Sequence, residues 1–150
     1  METNRLPLPI DLVRLIESGF WPTTHAQEVA QNSHSCSPPE IVSKVFPGER
    51  RLYLARPPFR TVAESIALGE KFWLQGIAAI DQIDPAKTLI IGDFQLGSDS
   101  AIALDYRNEP EPAVLQLAWA KSDPSKNNRW ITAAPSFREM GRRLQWPGFR

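Results

Sequence analysis

The sequence predicts a single α+β domain, in which an antiparallel sheet of mixed order, largely a meander, carries helices on one face and ends in a C-terminal helix. Short apolar stretches with strand-like alternation follow one another through the second half of the chain. Segments with helical spacing of apolar residues precede and follow them. With 150 residues, of which 42% are hydrophobic and 23% charged, the chain can bury one core without disulfides.

The first part of the chain predicts short elements that precede the meander. Apolar residues at helical spacing up to Gly19 predict a helix over residues 9–18. Residues 23–39 show little periodicity and predict irregular surface with a helical fragment at 25–31. Pro39 begins a short helix, which ends at the next proline–glycine pair.

Strand and helix signals alternate in the next part of the chain. The alternation at 51–55 predicts an edge strand, because a proline pair follows it. Thr61 and Glu64 have the spacing of a capping box, which predicts a helix start. Apolar residues at helical spacing then predict a further helix over residues 70–83.

Four apolar stretches predict the meander, which a helix closes. Residues 89–91 and 101–105 form two strands around a polar, glycine-containing loop, and no helix start follows its glycines as a βαβ nucleotide fold would require. Residues 113–119 and 130–133 supply two further strands. A second capping-box signal, with the sequence Ser-Phe-Arg-Glu from Ser136, begins the last helix.

Charge and cysteine content restrict the function classes. Seventeen basic residues balance seventeen acidic ones, so no net field attracts nucleic acid or an anionic membrane. The one cysteine, Cys36, excludes an intrachain disulfide and fits a reducing compartment. No apolar run approaches the ~20 residues of a membrane span, and the N-terminus lacks the apolar block of a signal peptide. We expect a cytoplasmic protein that binds neither nucleic acid nor membrane and uses no cofactor.

Three aspartates, Asp93, Asp99 and Asp105, could hold a hard divalent cation and support hydrolysis. Their spacing does not match a calcium-binding loop, which has acids at alternate positions and a terminal glutamate. Aspartates and serines also accept backbone hydrogen bonds in tight turns, and this structural interpretation is the favoured one. A metal-dependent hydrolase that uses these three aspartates stays open as the alternative function.

Other residue types capable of catalysis lack a supporting pattern. His25, His34 and Cys36 have none of the paired short spacings of zinc sites, and no acid is placed to orient a catalytic histidine. Ser98 and Ser100 do not form a Gly-x-Ser-x-Gly nucleophile elbow. The last helix carries three arginines, which without interleaved aromatic residues indicate a solvated face. No catalytic residue is therefore assigned.

The order of motifs in the second half of the chain supports a family resemblance. A strand with the sequence Ile-Gly-Asp ends at Asp93, a glycine-containing loop follows, and a strand with the sequence Leu-Asp ends at Asp105. A Val-Leu-Gln-Leu strand, a Trp-Ile-Thr-Ala-Ala strand and the helix start at Ser136 come next. This pattern resembles the SUKH superfamily, named partly after fungal cell-wall regulators of the Smi/Knr type. The resemblance is clearest over residues 57–146, within one domain that covers residues 1–150.

The resemblance implies an α+β domain that binds other proteins and catalyses no reaction. Bacterial members are similar to immunity proteins, which bind and neutralise a toxin domain inside the cell, and other members act as regulatory interaction scaffolds. If this role applies, the polar rim of the central hairpin is the predicted contact surface for a basic toxin. Its candidate contact residues are Asp93, Gln95, Asp99, Asp105 and Arg107.

Overall fold

The computed structural model describes residues 6–33, 36–74, 78–94, 100–108, 111–118 and 128–149. The α-helices in this part of the chain are α1 (Ile10–Ser18), α2 (His25–Ser33), α3 (Pro39–Val45), α4 (Val62–Ala67) and α5 (Phe137–Arg143). The strands are β1 (Tyr53–Leu54), β2 (Arg60–Thr61), β3 (Thr88–Asp93), β4 (Ala101–Asp105), β5 (Ala113–Ala118) and β6 (Arg129–Ala134). Short 3-10 turns lie at Lys71–Leu74, Ile80–Gln82, Pro85–Lys87 and Tyr106–Asn108.

The strands form one antiparallel sheet in the order β1-β3-β4-β5-β6, and β2 pairs with β3 along the same edge as β1. In the central hairpin, Thr88 lies opposite Asp105 and Gly92 lies opposite Ile102. The register shifts between Ile90 and Gly92, which marks a β-bulge. The predicted class is confirmed, because the chain is an α+β domain with an antiparallel sheet and a C-terminal helix.

Both faces of the sheet are covered. Face one is the side on which α1, α3 and α5 pack, and its sheet residues include Leu89, Ile91, Ile102, Leu104 and Val114. Face two is the side on which α4 and the first two 3-10 turns pack, and its sheet residues include Ala101, Leu115 and Leu117. The sequence predicts helices on one face, so the cover over face two is an addition to the predicted architecture.

Burial from both sides extends along the strand interiors. Every residue of β4 is buried, as are residues 114–117 of β5. Gln116 is a polar residue in this run, and its Nε2 donates to the backbone oxygen of Pro47 at 3.1 Å. Strands that are buried along their whole length and mostly apolar are typical of a sheet that is covered on both faces. The alternation of residue types that predicts a strand at 113–119 therefore does not distinguish a buried face from an exposed face of β5.

Local capping signals position the predicted helices. α1 ends at Gly19, whose φ of 87° lies in the left-handed region that favours glycine. The capping box of α4 is complete, since Thr61 Oγ1 accepts from Glu64 N–H at 3.1 Å and Glu64 Oε1 accepts from Thr61 N–H at 2.8 Å. At α5, Ser136 Oγ accepts from Glu139 N–H at 3.1 Å. The Glu139 carboxylate does not complete this second box, because two arginines of α5 bind it.

The α-helix predicted over residues 70–83 is wrong. In the described part of this stretch, the chain forms 3-10 turns, and Ala79 precedes the second turn with a left-handed φ of 50°. Trp73 and Ile83 are nevertheless buried on face two. Their apolar side chains cover the sheet from separate short turns. The helical spacing of apolar residues in this stretch therefore does not correspond to one face of a helix.

Other predicted elements are present with changed bounds. The helical fragment predicted at 25–31 is α2, most of whose side chains are exposed. The edge strand predicted at 51–55 is the two-residue β1, and β2 was not predicted. β5 extends to Ala118, and the predicted extension to Trp119 lies outside the described residues.

A buried tryptophan on face one connects separate parts of the chain. Trp21 is fully buried, and its Nε1 donates to the backbone oxygen of Ala55 at 2.7 Å. Its ring packs edge-on against the rings of Phe59 and Trp146, with centroid distances of 6.0 Å in both pairs. Trp146 Nε1 in turn donates to Ser37 Oγ at 3.0 Å. These contacts hold the segments before α3 and after α5 against the edge of the sheet that carries β1.

We predict that Gly92→Ala lowers the free energy of unfolding by about 3 kcal/mol, at the upper end of overpacking costs. A Cβ at Gly92 would lie 2.7 Å from the backbone oxygen of Tyr53, so β1 would have to move away from β3. Gly19→Ala is the control, since its Cβ would meet no atom within 4 Å and its left-handed φ should cost about 1 kcal/mol. Urea unfolding measures both variants, and equal costs would contradict a close approach of β1 at Gly92.

Candidate partner-binding surface

Asp93 is the last residue of β3 and begins the loop of the central hairpin. It lies opposite Tyr53 of β1 in the register of the sheet and is half-buried. One of its carboxylate oxygens, Oδ1, accepts the backbone N–H of Phe94 at 2.6 Å. This contact is the turn-forming role that the sequence analysis favours for the aspartates. Gln95 and Asp99, which were predicted to share this rim, lie outside the described residues.

A second carboxylate, that of Glu28 on α2, acts on the same tyrosine as Asp93. Glu28 Oε2 accepts the backbone N–H of Arg56 at 3.3 Å, and Glu28 Oε1 lies 3.4 Å from Arg56 Nε. Burial raises the pKa of Tyr53, and the charge and hydrogen bond of Glu28 raise it further, with a smaller effect of Asp93. The charge of Arg56 lowers the pKa of Tyr53 but does not outweigh these effects, so Tyr53 stays protonated at neutral pH. We call Glu28, Tyr53, Arg56 and Asp93 the carboxyl edge.

Asp105 and Arg107 form a two-point ion pair at the far end of β4. Arg107 Nε donates to Asp105 Oδ1 at 2.9 Å, and Arg107 Nη2 donates to Asp105 Oδ2 at 2.8 Å. Arg107 Nη1 also donates to the backbone oxygen of Gln82 at 3.2 Å. Gln82 Oε1 accepts the backbone N–H of Trp130 in β6 at 2.9 Å. The pair is therefore part of a network that links β4 to β6 through the Ile80–Gln82 turn.

The protonation of Asp105 follows from this geometry. Burial by itself would raise the pKa of Asp105, but hydrogen bonds from the side chain and backbone of Arg107, with its positive charge, outweigh burial. The pKa of Asp105 is therefore lowered from its ordinary value, and the side chain carries a negative charge at neutral pH. The Asp105 side chain is 8% exposed and that of Arg107 is 42% exposed. Asp105 acts within the fold, whereas Arg107 also reaches the surface.

The structure does not bring Asp93 and Asp105 together. Asp105 lies opposite Thr88 at the start of β3, whereas Asp93 ends the same strand. Five residues of β-strand separate these levels of the sheet by about 16 Å. The predicted single rim is therefore wrong for Asp105 and Arg107, which lie at the end of the hairpin away from its loop. The same separation contradicts a three-carboxylate metal centre that includes both Asp93 and Asp105.

The other polar residues considered as ligands or nucleophiles do not form a site in the described chain. His25 lies on the exposed α2, and His34 is outside the described residues. Burial raises the pKa of the Cys36 thiol to about 11, although hydrogen bonds involving Ser37 and Trp146 act in the opposite direction. The thiol is therefore protonated at neutral pH and a poor nucleophile. Among the described residues, no group of three His, Cys, Asp or Glu side chains is arranged to hold a metal ion.

The interior of face one contains a gap that does not form a binding site. It is bordered by apolar side chains that include Trp21, Phe46, Met140 and Trp146, and it does not admit a water molecule. None of the predicted site residues that the structure describes borders it. The described candidates Asp93, Asp105 and Arg107 therefore lie away from this gap.

The contribution of α2 to the carboxyl edge is not predicted from the sequence. Glu28 lies in a segment with little hydrophobic periodicity, and its contact with Arg56 spans 28 positions of the chain. Because α2 packs few of its side chains, a hydrophobic pattern could not have indicated where the helix lies. The acidic residue in the first turn of a helical fragment was the one available signal.

No family model matches the chain, and searches of curated proteins and of solved structures find no match either. The SUKH resemblance therefore stays a prediction from the sequence motifs. In the described part of the chain, no helix combines the length and apolar character needed to cross a membrane.

We predict that Asp105→Asn lowers the free energy of unfolding at pH 7 by about 2 kcal/mol. The neutral amide has one acceptor oxygen, so Arg107 loses hydrogen bonds to a buried, charged carboxylate. The folded-state pKa of Asp105 lies below its ordinary value of 3.8. Its contribution is therefore complete above that value and is lost as the pH falls through the lower folded-state pKa.

Urea unfolding from pH 7 to about pH 2 tests this dependence. The acid-side loss of stability should be smaller in Asp105→Asn than in the wild-type chain. Asp81→Asn changes an exposed aspartate in the Ile80–Gln82 turn and should unfold like the wild-type chain. Parallel acid profiles for Asp105→Asn and the wild type would show that the ion pair adds no pH-dependent stability.

Proposed function

We propose that the chain is a non-catalytic protein-binding module, an immunity-type protein that binds and neutralises a toxin domain in the cytoplasm. The resemblance of residues 57–146 to the SUKH superfamily supports the immunity role. The placement of the acidic side chains supports binding over catalysis. A regulatory interaction scaffold would use the same kind of surface and would differ in the identity of its partner.

The separation of Asp93 from Asp105 is the observation that carries the proposal. Carboxylate oxygens that bind one divalent cation each lie about 2.0–2.6 Å from it. Asp93 ends β3, whereas Asp105 of β4 lies opposite the first residue of β3, so the two cannot meet that requirement. Asp105 is also engaged by Arg107 through both carboxylate oxygens. Asp93, a single carboxylate at the end of a strand, suits a contact with a partner protein better than a hydrolytic centre.

The carboxyl edge is the proposed contact surface for a basic partner. Asp93 and Glu28 supply two carboxylates there, and Arg56 pairs with Glu28. Complementary charge on the partner would accelerate association and favour one orientation. Tyr53, which is half-buried, adds an aromatic side chain of the kind that contributes strongly at protein interfaces.

We predict a one-to-one complex with the C-terminal domain of a toxin encoded by a neighbouring reading frame. Asp93→Lys reverses a charge at the carboxyl edge and should weaken this complex by about tenfold or more. Asp81→Lys makes the same change at an exposed aspartate elsewhere and should leave the affinity within about twofold. Isothermal titration calorimetry measures the affinity, and co-expression with the toxin domain measures protection of growth.

Each outcome bears on a different part of the proposal. Absence of any complex and of any protection would contradict the immunity role. A complex that Asp93→Lys leaves unchanged would contradict the carboxyl edge as its contact surface. Adding Asp99→Lys to Asp93→Lys should weaken the complex further if the predicted loop rim takes part.

Calorimetric titration with Mg²⁺, Mn²⁺ and Ca²⁺ tests the hydrolase alternative. We expect no heat beyond that of dilution at millimolar ion, because Asp93 and Asp105 are too far apart to bind one ion. Saturable heat that Asp93→Asn abolishes would contradict a purely non-catalytic surface. Heat that both Asp93→Asn and Asp105→Asn leave unchanged would place the ion elsewhere, and the proposal for this hairpin would stand.

A further inference from the structure

Asp11 of α1 is shared by arginines from two helices. Arg14, one turn further along α1, places Nη1 at 3.6 Å from Asp11 Oδ1. Arg138 of α5 donates from Nη2 to the same oxygen at 3.2 Å. The Asp11 side chain is 14% exposed, whereas those of Arg14 and Arg138 are 66% and 57% exposed. One carboxylate therefore holds two exposed guanidinium groups where α1 packs beside α5.

Glu139 of α5 is shared in the same way. Arg142 binds both of its carboxylate oxygens, and Arg143 Nε donates to Glu139 Oε2 at 2.9 Å. Hydrogen bonds from Arg142 and Arg143 lower the pKa of Glu139 to about 2. The carboxylate therefore stays charged and keeps both arginines beside it over the physiological range. Arg143 Nη1 also donates to the backbone oxygen of Ala133 at 3.1 Å, which fixes its position against β6.

These two groups form one charged surface, which we call the arginine face. Its members are Asp11, Arg14, Arg138, Glu139, Arg142 and Arg143. Because each carboxylate has two arginine partners, the face carries two more positive than negative charges in a chain of zero formal net charge. Arg138 and Arg142 also keep N–H groups that have no acceptor among the described residues.

We propose that the arginine face is a second interaction surface, which binds an acidic segment of a partner protein. This inference does not depend on the immunity role or on the carboxyl edge. Guanidinium groups bind carboxylates through paired, planar hydrogen bonds. The shared carboxylates hold the arginines in place before a partner arrives, so less side-chain freedom is lost on binding.

The two carboxylates of the face favour an acidic protein segment over nucleic acid. A nucleic-acid surface neutralises a continuous row of phosphates with several unopposed cations. Asp11 and Glu139 interrupt the positive charge and would repel such a row. A short protein segment can place two or three carboxylates beside the arginines and leave the positions next to Asp11 and Glu139 unoccupied. No aromatic side chain of α5 interleaves its arginines as a stacking surface for bases would need.

Fluorescence anisotropy with two labelled probes, an oligoglutamate peptide and a DNA duplex of equal charge, tests the proposal on the full chain. Measurements at about 10 mM salt keep electrostatic attraction unscreened over about 30 Å. The wild-type chain should bind the peptide more tightly than the duplex. Arg138→Gln combined with Arg142→Gln should weaken peptide binding by about tenfold.

Arg51→Gln combined with Arg60→Gln is the matched control. It removes the same charge near β1 and β2, and Arg60 is 57% exposed, as is Arg138. Peptide binding by this control should stay within about twofold of the wild type. Thermal unfolding followed by circular dichroism verifies that both double variants fold.

Three results would overturn the proposal. The first is that both double variants lose peptide binding equally. The second is that the wild-type chain binds the duplex more tightly than the peptide, and the third is that it binds neither probe. None of these results bears on the complex with a toxin domain, which the variants at Asp93 test separately. If the Arg138 and Arg142 double variant does not fold, Arg14→Gln alone should weaken peptide binding by about threefold, and unchanged binding would again overturn the proposal.

Discussion

Burial of β4 from both sides is the constraint on which the rest of the structure depends. All five of its residues are buried, so separate parts of the chain must cover each face. Ile102 and Leu104 require the helices of face one, and Ala101 requires α4 and the 3-10 turns of face two. Asp105 is the one charged residue of the strand, and its ion pair with Arg107 allows a carboxylate to end a buried strand. The chain before β3 therefore supplies elements to both sides of one central hairpin.

Elements that depend on local chemistry could be predicted from the sequence. Thr61 and Glu64 lie three residues apart and complete each other's hydrogen bonds, so α4 begins where its capping box predicts. Residues 70–83 could not be predicted in this way, because their conformation depends on packing against face two. Trp73 and Ile83 are buried there by 3-10 turns and a left-handed residue, although their spacing fits a helix equally well. Contacts with residues far away in the chain determine the conformation of the described part of this stretch, and the sequence does not show those contacts.

Of the four residues of the carboxyl edge, the sequence indicated Asp93 but not the residues that are grouped with it. Asp93 and Asp105 both end apolar strands and therefore look equivalent in the sequence. In an antiparallel hairpin, the ends of successive strands point in opposite directions, and the register of Thr88 with Asp105 makes this explicit. Asp93 instead acts on Tyr53 together with Glu28 of α2, which contacts Arg56. A carboxylate whose contacts lie far away in the sequence produces no periodic pattern from which they could be predicted.

The number of arginines per carboxylate decides what each ion pair does. Asp105 is buried and has one arginine, which satisfies both of its oxygens, so the pair's charges largely cancel and its effect is structural. Glu139 is half-buried and has two exposed arginines, so the carboxylate cannot neutralise both and positive charge remains at the surface. Exposed pairs contribute little to stability, at most about 1 kcal/mol, which makes a stabilising role a weak explanation for the sharing. The chain has equal numbers of acidic and basic residues, but they are not evenly distributed. Asp105 and Arg107 form a neutral ion pair within the fold, whereas the arginine face carries excess positive charge.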